Sequence, residues 1–533
     1  MIRFEIASQD LSQGAGVSVR RAWCFGNGEA ALPGVRVSIE SGVLVAETPA
    51  GIPAGLCVEV AVPGEGGEGV AGVIAMRTSL LPPRDRAYRL TVELARAKLM
   101  QAITRSEEWG TVAIAGSDFD GRLESAKSCF ARALALGSPD STEKKQEQER
   151  LAQRALGGAV AAGEILARAH ARARINLRAS GVAGRPPANA DREDTLDAGH
   201  VASPDGIGVY QPGLPNVGCI INPSVFSEPL AKAVTDASDT LCVPLRWSGL
   251  EPREGTYSFA STDRWIEWSV LKAKVPLTAG PVIDLRKICT PDWLAIWEHD
   301  YDTLREVVFE HVRQLVTRYR RTVPRWTVVS SIPNNELFTL TYDKMADLTR
   351  VCASAVRKLH PRARILVDIA DPFGDRVAST KGAVGPVAYV QLLEQLQLDY
   401  DVIGLRVQMG GSSPCRDLMS LSEMLDLYAG FDKPVQVSAI GCPSRSVESD
   451  EGWLGERWSE SRQASWLADA LSICAGKFFV QSIYWQDLVD GPASLECDSG
   501  GLLGVNGAPK PALSGLLSFR QSLRATTKAE SAS

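Results

Sequence analysis

Between residues 205 and 524, short apolar runs alternate with stretches of helical period, and this alternation restricts the fold more than any other feature of the chain. The runs are Val217–Ile221, Thr240–Leu245, Val275–Ile283, Arg325–Val329, Ile365–Ile369, Val402–Val407, Pro434–Ile440 and Phe478–Trp485. Most are rich in Val, Ile and Leu, and all are too short for independent helices. In 303–319, by contrast, Leu304, Val307, Val308, Val312, Leu315, Val316 and Tyr319 form one stripe at helical spacing, which reads as core contact with a barrel wall. Eight such units predict an α/β fold, a (β/α)8 TIM barrel over 204–524, with its site at the C-terminal ends of the strands.

The preceding residues have a different texture. Residues 1–90 are rich in Gly, Val and Ala, with partial alternation at Val35–Glu40 and Val43–Thr48 and a glycine-rich loop at 63–69. These features predict a β-sandwich, a pattern shared by carbohydrate-binding modules and by many unrelated sandwiches. Residues 91–178 shift to a helical period and to Ala, Glu, Gln, Leu and Arg, predicting a helical hairpin or small bundle. The charged run Glu143–Arg150 reads as a solvated helix face. Residues 179–203 read as a linker and 525–533 as a frayed tail.

Of 533 residues, 45% are hydrophobic and 23% charged, enough for a large core. A net charge of -6 argues against nucleic acid as the main partner, because phosphate binding needs a basic excess. No apolar run reaches the roughly 18 residues of a membrane span. The first residues lack a secretory pattern, and the 11 cysteines include no C-x-x-C pair, so reduced thiols in the cytoplasm are expected. The five histidines are not spaced as metal ligands. With no phosphate loop and no G-x-S-x-G elbow either, neither metal nor cofactor is expected.

Six strings in the barrel region, in order, resemble glycoside hydrolase family 10, the endo-β-1,4-xylanase family. Leu245-Arg-Trp-Ser-Gly-Leu-Glu-Pro-Arg-Glu-Gly-Thr-Tyr-Ser-Phe is similar to that family's strand 2 and following loop. Thr290-Pro-Asp-Trp-Leu resembles the segment after strand 3, and His311–Tyr319 leading into Trp326-Thr-Val-Val resembles the helix and strand 4. Ile403-Gly-Leu, Lys433-Pro-Val-Gln-Val-Ser-Ala, and Trp485 with Gly501–Ala512 resemble strands 6, 7 and 8. The resemblance implies a β-glycan-related role and a xylan-like poly- or oligosaccharide partner.

It also exposes departures. Ser331 stands where the family has its acid/base glutamate, Ser330 where it has an asparagine, and Ala439 where it has its nucleophile. Gln408 stands in for a strand 6 histidine and Arg246 for a strand 2 lysine. Retaining hydrolysis needs two carboxyl groups about 5–5.5 Å apart, which neither serine nor alanine supplies. Candidate substitutes are Glu336, Asp284 and Asp368, with Asp371 and Asp487 near the same face; the simpler role for such acids is capping helices or pairing with Arg246, Arg286 and Arg406.

Ten of the 12 tryptophans lie in the barrel half. Trp247, Trp293 and Trp485, at strand ends or in the following loops, are candidates for a sugar platform alongside Arg246 and Gln408. Trp453 and Trp458 are candidates for a lid, and Trp265, Trp268 and Trp466 for core. The expected function is therefore glycan binding without retaining hydrolysis. The alternatives are an active O-glycosyl hydrolase with relocated carboxylates, and an interaction or scaffold protein that docks a protein partner through 91–178.

Overall fold

Alternating and fully apolar runs fold as strands where a second layer covers them. The computed structural model describes all residues except 7–17, 28–30, 33, 64–69, 111–117, 181–210, 212, 378–379, 381, 412, 447–451, 454–455, 493, 495 and 532–533. The glycine-rich loop beyond Pro63 and the linker beyond Ser180 lie outside the described residues. The chain forms two compact units. One is Met1–Arg174 with Met409–Glu423 and Ser444–Gln463, and the other is Ile175–Gln408, Met424–Pro443 and Ala464–Ser533.

The first unit contains β1 (Ile2–Glu5), β2 (Ser18–Phe25), β3 (Val37–Glu40), β4 (Val43–Ala46), β5 (Gly55–Pro63), β6 (Val70–Arg77) and β7 (Tyr88–Arg89). They form a sheet of order β3-β4-β1-β7 and another of order β2-β5-β6. Ile2 pairs with Ala46 and Phe4 with Leu44; β1 alternates, burying Ile2 and Phe4, whereas β4 buries Leu44, Val45 and Ala46 in succession and departs from the alternation expected at Val43–Thr48. Trp23, Phe25, Cys57 and Ala75 form a separate apolar cluster in the second sheet.

Three helices follow: Leu90–Trp109, Phe119–Ala135 and Thr142–Ala179. Their core joins Leu99, Ala102, Phe119, Leu123, Ala126, Ala159, Ala162 and Leu166 with Met419. Alanines at the contact let the helix axes approach closely. The charged run at 143–150 faces solvent except for Gln148, which donates to the carbonyls of Ala133 and Gly137 at 2.9 Å each.

The second unit holds the barrel. Its strands are β8 (Asn216–Ile220), β9 (Thr240–Val243), β10 (Leu277–Ala279), β11 (Ile283–Asp284), β12 (Arg325–Ser330), β13 (Arg364–Ile369), β14 (Val402–Gln408) and β15 (Val435–Gly441). The short hairpin of β16 (Gly452–Trp453) and β17 (Glu456–Arg457) comes next in the chain, then β18 (Val480–Trp485). The order β10-β9-β8-β18-β15-β14-β13-β12-β11 is closed by a direct β10–β12 pairing. Every pairing in this ring is parallel. The eight runs read from the sequence are the eight staves of the barrel.

Two sequence expectations change here. The run Val275–Ile283 is not one strand but two, β10 and β11, broken at Gly280-Pro281. Proline has no amide hydrogen for the ladder, and a Cβ on Gly280 would sit 2.3 Å from the Thr327 carbonyl oxygen. The tail is likewise shorter than expected, because the helix Pro511–Ser531 runs through most of 525–533. The Ala, Thr, Lys and Glu residues there continue a helix, and no proline or glycine interrupts them.

Met409–Glu423, which follows β14, and Ser444–Gln463, which follows β15, are built into the first unit. Asp417 forms a buried ion pair with Lys98, Glu423 accepts from Arg105 at 2.9 Å, and Glu164 accepts the Leu418 amide at 2.7 Å. Trp453 and Trp458 are 1% and 3% exposed within this unit, which corrects the lid expectation: neither ring presents a face to solvent.

Arg178 is a hidden support of the second unit. It is 1% exposed, and its guanidinium donates to the carbonyls of Gly213, Ala475, Lys477, Gln211 and Val480 at 2.5–3.4 Å. Gln211 and Gly213 precede β8, and Ala475, Lys477 and Val480 lie around the start of β18, so one cation satisfies backbone acceptors from two segments. Arg178→Met should lower unfolding free energy by about 3–5 kcal/mol in denaturant titration, because it strands these acceptors. A loss below about 1 kcal/mol would show that water replaces the side chain.

Candidate active site

A cavity of about 260 Å³ opens in the second unit at the C-terminal ends of β8, β9, β10, β11, β14 and β18. Barrel strands deliver their terminal side chains to this end. Arg246, Asp284, Arg406, Gln486 and Asp487 supply much of its polar lining, with Cys242 and Cys289 among the apolar contributors.

The staves set a layer of polar groups around the mouth. Asp284 on β11 pairs in register with Ser330 on β12, and the Ser330 hydroxyl donates to Asp368 on β13 at 2.9 Å. Arg406 on β14 approaches the same Asp368 oxygen at 3.6 Å. Gly404 makes room for this arrangement, since a Cβ there would lie 2.5 Å from both Asp368 Oδ1 and Ser438 Oγ. The glycine of the Ile403-Gly-Leu string is therefore a packing requirement of the polar layer.

The acids split by environment. Burial disfavours ionised Asp284, but Arg286 beside it, at 2.6 Å, prevails and holds the carboxyl at about 2. Arg286 also reaches Glu496 at 2.5 Å. Burial raises the Asp368 carboxyl, with Arg406 opposing. Asp487, whose Oδ2 accepts from Ser494 at 2.5 Å, is pushed by burial from the ordinary 3.8 to about 6, while Arg246 and Arg406 oppose the rise. Glu336 is exposed and accepts the Lys287 amide at 3.3 Å, and Asp371 accepts the Arg376 amide at 2.8 Å. The pairing role foreseen for such acids is thus observed for Asp284 and Asp368. An acid held at about 2 by a bidentate arginine cannot donate a proton near neutrality, which removes Asp284 as the acid of a relocated pair with Glu336.

At the two departure positions there is no carboxyl group. Ser331 is fully buried with a left-handed backbone, φ 58°, and its hydroxyl has no hydrogen-bond partner among the described residues. Ala439 on β15 is fully buried and packs with Ile220, Cys242 and Tyr484 inside the barrel. The Tyr484 hydroxyl bridges Thr240 and Thr278 at 2.9 Å each, so the space beside Ala439 is lined by a fixed ring.

The tryptophans are placed differently from expectation. Trp247 is 1% exposed, stacks on His311 with centroids 4.1 Å apart, and donates Nε1 to Glu251 at 2.7 Å. Trp485 is fully buried and donates to the Gly500 carbonyl at 2.9 Å. Both are corrected as sugar platforms, because rings covered on both faces cannot stack on a ligand. Trp293 is half-buried and donates to the Glu251 carbonyl at 3.0 Å. Gln408, buried at the end of β14, pairs in register with Gly441 and does not line the cavity. Trp265 and Trp466 are core, as foreseen, and Trp268 is half-buried.

Sequence reasoning missed Glu251, Glu496 and Gln486. Glu251 also accepts the Gly255 amide at 2.8 Å, which closes the loop around Trp247. Burial works against its charge, yet His311, Trp247 and Tyr257 hold it at about 2. Its position inside the Leu-Glu-Pro string was a usable signal. Glu496 and Gln486 carried none, since only folding brings Gln486 to the cavity and Glu496 to Arg286. Among the described residues no group of three or more His, Cys, Asp or Glu side chains could hold a metal ion, and no helix is long and apolar enough to cross a membrane.

The Asp487 shift has a measurable consequence. Between 3.8 and about 6 the folded chain holds a proton at this site that the unfolded chain has released, so stability falls as pH rises through that window. Asp487→Asn should remove about 2–3 kcal/mol of that decline, measured by urea unfolding at pH 4 and pH 7. Parallel pH profiles for the two proteins would show that Asp487 ionises normally.

The family match agrees with this architecture. The family model for Glycosyl hydrolase family 10 matches residues 215–517, which is more than half of the chain. Endo-1,4-beta-xylanase B of Humicola insolens is 26% identical over 88 residues, spanning 16% of this chain and 24% of that protein. Among solved structures, xylanase 10B of Thermotoga maritima aligns at 14% identity over 58% of this chain and 96% of its own, with a TM-score of 0.46. Xylanase B of Clostridium stercorarium F9 aligns at 17% identity over 57% and 96%, with a TM-score of 0.44. The extent of the family match over the barrel makes this chain a member of glycosyl hydrolase family 10.

Proposed function

We propose that the barrel binds carbohydrate and has lost the retaining hydrolysis of its family. The observation that carries this reading is the pair of positions Ser331 and Ala439. The first offers a buried hydroxyl and the second a methyl packed among Ile220, Cys242 and Tyr484. A covalent glycosyl intermediate needs a carboxylate nucleophile, and leaving-group departure needs a proton donor. Family membership and the xylanase relative support a xylan-type β-glycan as the first ligand to try. A protein partner for residues 91–178 rests only on the charged, exposed helix surface and is the weaker reading.

One observation favours a second reading, hydrolysis through relocated acids. Asp487 lines the cavity with a carboxyl raised to about 6, inside the range useful for a general acid near neutrality. It lacks a visible partner, because Asp284 is committed to Arg286 and Asp368 to Ser330 and Arg406.

Incubation of the full chain with xylo-oligosaccharides should release no reducing sugar above a protein-free blank, while calorimetry with the same sugars should give heat of binding. Turnover that disappears in Asp487→Asn would replace the first reading with the second. Ala439→Glu should not restore turnover and should cost about 3 kcal/mol or more of stability, read by thermal unfolding, because it forces a charge into an apolar cluster. Rescue of hydrolysis by that substitution would show that the position still faces substrate.

A further inference from the structure

Arg246 and Arg406 line the cavity together with Asp284 and Asp487. Arg246, half-buried just after β9, has no ion pair among the described residues. Among the described residues Arg406 meets an acid only at the 3.6 Å contact to Asp368, and its buried Nε has no acceptor there. Gln486, 4% exposed and also lining the cavity, has a buried Nε2 without an acceptor among the described residues. Burial disfavours the charge on Arg246, and Arg406 lies close enough to add to that effect. Arg286, by contrast, is spent on Asp284 and Glu496. Two crowded guanidinium groups and an orphaned amide donor around one hollow form a set of donors waiting for an acceptor that is itself anionic.

We propose that this cavity recognises an acidic sugar, a pyranose carrying a carboxylate, and that Arg246 and Arg406 bind that carboxylate. The inference rests on the carbohydrate-binding reading and narrows its ligand class. Asp487 is the opposing charge in the cavity, and burial, which raises its carboxyl to about 6, weakens that opposition as pH falls. Asp284 keeps its charge, but Arg286 neutralises it with paired hydrogen bonds at 2.6–3.1 Å. The size fits, since about 260 Å³ is below the roughly 300–1,000 Å³ of sites for drug-sized ligands and suits a single ring.

Calorimetric titration of the full chain with glucuronate and with glucose tests this, because the two differ only by a carboxylate in place of the hydroxymethyl group. Glucuronate should bind about tenfold tighter or more at low salt, and the margin should shrink as salt rises. Arg246→Gln should abolish the preference and Arg246→Lys should keep part of it, with thermal unfolding verifying that both variants fold. Equal affinity for the two sugars would overturn the acidic ligand and leave neutral glycan binding standing. Xylo-oligosaccharides that bind while neither monosaccharide does would also overturn it. Inorganic phosphate binding as tightly as glucuronate, and displacing it, would reduce the cavity to a plain anion site. Heat from no saccharide at all would end the carbohydrate reading itself.

Discussion

Closure of the parallel ring is the constraint from which the rest of the molecule follows. A parallel sheet left open exposes unpaired backbone groups at both edges, and the β10–β12 pairing removes them. Closing the ring requires the third stave to break at Gly280-Pro281, which gives β10 to one part of the ladder and β11 to another. That break delivers Asp284 to the mouth, next to Ser330 and within reach of Arg286. The cavity is thus a by-product of how the barrel closes, furnished by whichever residues end each stave.

The furnishing differs sharply from what two-carboxylate chemistry demands. Acid residues are abundant at the mouth, and three are answered by a neighbour: Asp284 by Arg286, Asp368 by Ser330 and Arg406, Glu496 by Arg286 and Arg376. Such networks raise the cost of removing any one member, because a buried charge left alone is far more expensive than a buried pair. They also fix the protonation states of their members and remove them from proton transfer. Asp487 escapes this, with a hydroxyl partner and no arginine in direct contact at ion-pair distance among the described residues.

The first unit obeys the same logic away from the cavity. Chain segments that follow β14 and β15 are incorporated into it through the buried Lys98–Asp417 pair and the Glu164 acceptor at the Leu418 amide. These contacts join residues more than 250 positions apart in sequence. Long-range ion pairs of this kind specify one arrangement of loops over others, since a displaced partner would leave a buried charge uncompensated.

Periodicity and composition were enough to establish the barrel. The eight apolar runs, the helical stripe at 303–319 and the absence of carboxyl groups at Ser331 and Ala439 are properties of single segments, and local spacing reports them faithfully. The fate of the aromatic and acidic side chains was not legible in the same way. Trp247 and Trp485 sit at strand ends, where a platform is reasonable, yet His311, Glu251 and the Gly500 carbonyl from other parts of the chain claim them. Whether an acid is a catalyst, a salt-bridge partner or a cap depends on what lies a few ångströms away. Asp284 is held by Arg286, and Arg286 in turn reaches Glu496, 210 positions distant, which only the closed ring brings close. Sequence thus determined the staves and the missing carboxylates, because those are local facts; tertiary structure decided which charges remain uncommitted, because electrostatics acts through space and not along the chain.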